Sequence, residues 1–126
     1  SPDYLENSVE TATITVVPKM PYLESLKRGP NADWVVHSLT RKIEIDIHLA
    51  LEKSQKMDDI SMFKADVKGC LEQAILRINK QMAKHPKQSF LLEKINNLSE
   101  QINASDTIQD PKEFFSSIAA LMRTTR

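Results

Sequence analysis

Apolar residues recur along most of this chain at intervals of three and four, the spacing of one face of an α-helix. From residue 31 onward, Val36, Leu39, Ile43, Ile47 and Ala50 form such a stripe and predict a helix running to about Lys56. Asn31 is expected to cap it, with Asp33 in the first turn, where negative charge suits the helix dipole. One stretch conflicts with this reading. Ile43-Glu44-Ile45-Asp46-Ile47-His48-Leu49 alternates strictly, which is a strand signal. Helix is favoured because no turn residue interrupts residues 31–57 and because the alternation also fills two helical faces. Such a helix would be buried on more than one side. A strand over 43–51 is the open alternative, and the bundle depends on it.

A second helix is capped by Asp58-Asp59 and carries Ile60, Phe63, Val67, Cys70, Leu71, Ala74, Ile78 and Met82 at helical spacing. It ends near Lys84-His85, with Pro86 as the stop. Gly69 inside it costs up to about 1 kcal/mol relative to alanine, either for a close helix crossing or by mere tolerance. A third helix follows from about Gln88, with Leu91, Ile95, Leu98 and Ile102 on one face, and ends at Asn103-Ala104-Ser105-Asp106. A fourth begins with Asp110 as N-cap and Pro111 at the first helical position, its core face being Phe114, Phe115, Ile118, Leu121 and Met122. Short connections make successive helices antiparallel neighbours. The expected fold is all-α: an antiparallel four-helix bundle over 31–126, preceded over 1–30 by an arm and a short helix. In that arm, Val9 to Val17 is β-branched and reads as extended, Pro21 opens the short helix, and Gly29-Pro30 closes it after Arg28.

Composition narrows the function classes. With 126 residues, 27% of them charged and 40% hydrophobic, this is one ordinary globular domain. Gly29 and Gly69 are the only glycines, which argues against glycine-rich phosphate loops. Cys70 is the only cysteine, so no intrachain disulfide and no cysteine-based zinc site can form, and a reducing setting fits. Its place on the apolar stripe predicts a core thiol. No apolar run approaches the roughly 20 residues of a membrane span. The start at Ser1-Pro2, without methionine, is read as a fragment of a larger protein.

Formal net charge is zero, with 17 basic and 17 acidic residues. The up-and-down fold separates those charges. One end collects Lys27, Arg28, Lys80, Lys84, Lys87, Arg123 and Arg126 against Asp33 alone. The other gathers Glu52, Asp58, Asp59, Asp66, Glu100, Asp106, Asp110 and Glu113 against Lys53, Lys56, Lys64 and Lys112. A concentrated positive tip suits a phosphorylated lipid or an acidic protein surface. The anionic headgroup would be held by Arg28, Asn31, Lys80, Lys84, His85 and Lys87. Free N–H groups at the start of the first long helix, and near Gln88 and Ser89, would add hydrogen bonds to phosphate. Trp34 and Met82 are the candidate membrane contacts, although core or edge packing is the first reading of Trp34 and exposure to lipid headgroups or a partner the second. The competing reading is that lysines and arginines sit at helix C-termini because the dipole is negative there.

Catalytic chemistry finds no set of acid, base and nucleophile, so the chain reads as non-catalytic, without metal or cofactor. His37 lies four residues from both Asp33 and Arg41, which makes a surface hydrogen-bond ladder. Glu44 and His48 are a single i, i+4 pair, too little for a metal site. No Glu-x-x-His occurs, which closes the di-metal bundle. Zero net charge and 6% aromatics speak against nucleic acid.

The stretches LKRGPNADW and KQMAKHPKQS, in a glycine-poor and cysteine-poor helical domain, resemble the C-terminal localisation modules of effectors secreted by intracellular bacterial pathogens. Such a resemblance covers residues 31–126 in architecture. It implies a phosphoinositide-binding, membrane-targeting module: Lys, Arg and His around a monophosphorylated inositol headgroup, Trp34 or Met82 at the lipid interface, and a place in the host cytoplasm at endomembranes. The alternative is a protein-interaction bundle that docks a partner helix or peptide between its helices, with the arm 9–17 adding a strand to the partner. Oligomeric state is not legible.

Overall fold

The computed structural model describes residues 17–124. The arm predicted over 9–17 lies outside these except for Val17. Five α-helices follow in order: α1 (Pro21–Glu24), continued by a 3-10 turn (Ser25–Lys27), α2 (Trp34–Lys56), α3 (Ile60–Gln81), α4 (Gln88–Asn103) and α5 (Pro111–Met122). A further 3-10 turn, Ala104–Thr107, leads from α4 toward α5. No strand occurs among the described residues. The alternating stretch 43–49 is helical, as favoured: Ile43 and Ile47 enter the core, while Ile45 and Leu49 lie on the far side.

Local signals set most helix ends. Asp59 caps α3 by accepting from the Met62 N–H at 2.9 Å, and Asp110 caps α5 by accepting from Glu113 N–H at 3.1 Å. Asp58, at φ +50°, takes the left-handed conformation that ends α2, and the Asp59 N–H returns to the Ser54 carbonyl at 3.0 Å. The α2 cap is a correction. Asp33, not Asn31, accepts from the Val35 and Val36 N–H groups, at 3.0 and 3.3 Å, and the helix starts at Trp34, two residues later than an Asn31 cap implies. The shift follows because only a side chain two or three positions before those donors can reach them.

The core is continuous across all five helices. Its centre near the α3 and α5 N-termini is an aromatic trio, in which Phe63 lies edge-to-face on Phe114 and Phe115, both at 5.9 Å between centroids. Helix α2 packs along α3, and α3 along α4. The fourth position is shared. With 12 residues, α5 is about 17 Å long, against about 33 Å for the 23 residues of α2. The segment Met20–Lys27 packs against α2 and α5 and adds Met20, Tyr22, Leu23 and Leu26 to the same core. A boundary at residue 30 therefore separates chain composition but not packing.

Gly69 has open space where a Cβ would stand, with no atom within 4 Å. Tolerance, not close crossing, explains it. Gly69→Ala should raise stability by about 0.5–1 kcal/mol in urea unfolding, since alanine restricts the unfolded backbone and adds no clash. A neutral or destabilising result would overturn this reading of the site.

Candidate functional site: the basic end of the bundle

Three segments meet where α2 begins: the Arg28–Asp33 loop, the N-terminus of α2 and the Met82–Lys87 loop. A cross-link holds them. His85 Nε2 stands 2.9 Å from Asp33 Oδ2, bridging 52 positions of sequence. The Lys87 backbone N–H donates to His85 Nδ1 at 3.0 Å. An acceptor at Nδ1 assigns the ring hydrogen to Nε2, which donates to Asp33. That bond, and next the Val36 N–H, hold the Asp33 carboxyl below its ordinary value of 3.8. Lys84 turns the loop in the left-handed region at φ +64°, which aims the chain back into α4.

Lys87 corrects the sequence reading most sharply. Its side chain is turned inward, the residue only 6% exposed, and Nζ donates to the Arg28 carbonyl. Nζ also lies 5.2 Å from the Phe90 ring centroid, a cation–π contact, and burial lowers its pKa. Gly29, at φ +102°, supplies the left-handed turn that brings this carbonyl over. Lys87 thus ties the N-terminal segment to the tip loop and is withdrawn from any ligand. Met82 is a second correction: it is wholly buried and belongs to the core, not to a lipid contact. His85 is present at the surface but already paired.

What stays open is a smaller set. Arg28, Asn31, Lys80 and Lys84 are exposed, and among the described residues no ion pair holds Arg28, Lys80 or Lys84. Trp34 is 76% exposed beside the Asp33–His85 pair, so its core-packing alternative fails. At the start of α4 no side chain caps the helix. Among the described residues no acceptor takes the Ser89 or Phe90 N–H. By contrast, Asp33 already fills the N-terminus of α2. Of the other expected cations, Lys27 pairs with Glu24 at 2.9 Å, and Arg123 follows directly on the 12-residue α5 as its C-cap. Arg126 lies outside the described residues.

Other sequence expectations resolve locally. The His37 ladder does not form, because Asp33 turns to His85 and Arg41 donates to the Val17 carbonyl at 2.6 Å. Glu44 does not meet His48. It is fully buried and accepts from the Met20 N–H at 2.6 Å, with Arg41 at 3.6 Å and Lys27 at 3.9 Å. His48 faces Glu52 at 3.7 Å. Sequence reasoning missed Glu44, and the one signal was its place inside the Ile43–Ile47 alternation. Cys70 is half-buried against Asp46 at 3.7 Å, and burial first, then the Asp46 charge, push its thiol up to about 12. A thiol so raised stays protonated at neutral pH and is a poor nucleophile. Among the described residues no three His, Cys, Asp or Glu side chains converge to hold a metal, and no helix is long and apolar enough to cross a membrane. No family model, no curated protein and no solved structure matches this chain.

Proposed function

We propose that this domain is a non-catalytic membrane-targeting module whose basic end binds phosphoinositide headgroups from the cytoplasmic side. The observation that carries the reading is Trp34, an exposed indole at the same end as three unpaired cations, Arg28, Lys80 and Lys84. An indole in water loses little by moving to a headgroup region, where its ring is shielded and its N–H still finds acceptors. Cations nearby add about 1 kcal/mol each at an anionic surface. The uncapped start of α4 gives a phosphate backbone N–H donors that a purely diffuse charge patch lacks. Lys87 and His85 build the site by fixing its loops, and Asn31 adds a neutral donor at its rim.

Trp34 is the sole tryptophan, so its fluorescence reports directly on the proposed contact. Vesicles carrying a phosphatidylinositol monophosphate should shift its emission to the blue and co-sediment the protein, and phosphatidylserine vesicles of equal charge should do so less. Replacing Arg28, Lys80 and Lys84 together by alanine should weaken this binding about a hundredfold with little change in melting midpoint, since all three are exposed. An unshifted Trp34 spectrum would remove the proposal. Equal binding to both vesicles would remove headgroup recognition.

A further inference from the structure

The alternation at 43–49 gives α2 two apolar faces, and the bundle covers one. At 100° per residue, Ile45, Leu49 and Lys56 lie on the side opposite Ile43, Ile47 and Ser54, which are buried. Leu49 is 47% exposed. Where α2 turns into α3 this second face becomes concave: Leu49, Met57 and Met62 line a groove of about 490 Å³, with Glu52, Lys53 and Lys56 at its rim. Met57 is 64% exposed.

The rim has a sign. Glu52 is turned to His48, whereas among the described residues no acid pairs with Lys53 or Lys56. An apolar floor with two free ammonium groups beside it complements a surface that is apolar in the middle and anionic along its edge. Methionine at two of the three floor positions adapts its shape to a partner at low cost. We infer that this groove docks an amphipathic helix of another protein, laid apolar side down, with Asp or Glu on the flank that faces Lys53 and Lys56. The groove begins at Leu49, about 22 Å along α2 from Trp34, and runs to the far end of the helix, so both surfaces can be occupied together.

Two fluorescent helical peptides of about 20 residues, long enough to hold helix in isolation, test this by anisotropy with the full chain. Both carry the same leucine stripe; one has Glu on its flanks and the other Lys. The Glu peptide should bind at least about tenfold tighter. Exchanging Lys53 and Lys56 for Glu should invert that preference, a result that loss of folding would not produce. Leu49→Glu should abolish binding of both while leaving the melting midpoint in place. Equal affinity for the two peptides, or binding of neither, overturns the inference. So does a dimer in sedimentation velocity that Leu49→Glu dissolves, which would give the groove to a second copy of this chain.

Discussion

Phe63→Ala should remove about 3–5 kcal/mol of stability, the largest loss expected from a single change in this chain. Phe63 is fully buried on α3 and stands edge-to-face on both Phe114 and Phe115 of α5, which are themselves 5.4 Å apart. Truncation removes the ring's own transfer energy, leaves a cavity, and breaks two aromatic pairs worth about 0.5–1.5 kcal/mol each. Set against the roughly 5–15 kcal/mol of a typical domain, that is a large share of the total stability. Urea unfolding followed by far-ultraviolet circular dichroism measures it. Phe63→Leu, which keeps most of the volume, should lose clearly less. A loss below about 1 kcal/mol for the alanine variant would mean that the trio does not hold α5 to α3.

Glu44→Ala should cost about 3 kcal/mol and also loosen one particular segment. With the carboxylate gone, the buried Met20 N–H has no acceptor, and Lys27 and Arg41 lose the charge that both approach. Desolvation of the orphaned N–H, more than the lost ion pairs, sets the magnitude, because Arg41 is still partly wet. Glu44→Gln keeps an acceptor for Met20 and should be milder. Amide exchange distinguishes this from general destabilisation: Met20 and its neighbours through Lys27 should exchange faster while the centre of α3 is protected in proportion to global stability. Unchanged protection at Met20 would show that the segment is held by Tyr22, Leu23 and Leu26 alone.

The four long helices were legible because their causes are local. A stripe such as Phe63, Val67, Leu71, Ala74 and Ile78 is buried as its spacing requires, and the caps Asp59 and Asp110 act on N–H groups three residues away. Helical periodicity also outweighed alternation at 43–49, since nothing there breaks the backbone pattern. The basic end was legible only in part. Arg28, Lys80 and Lys84 are at the surface, where spacing placed them, whereas the sequence left Trp34 between packing and exposure and the fold exposes it. Whether a polar side chain is free depends on partners remote in sequence. Lys87 meets a carbonyl 59 positions away, His85 meets Asp33 across 52, and no local pattern encodes either.

Sequence by itself thus determined an all-α chain, the order of its long helices and their buried stripes, and a cluster of cations near the α3–α4 loop; two ends moved, α2 starting at Trp34 and α3 stopping at Gln81. Tertiary structure decided which of those cations face water, that Glu44 anchors the N-terminal segment from inside, that Met82 is core, and that the outer face of α2 lies open. The division has one physical reason. Helix formation is settled by contacts within a turn or two of the chain, whereas burial and pairing of a charge depend on which distant groups the fold brings within hydrogen-bond reach and on how much water it removes there.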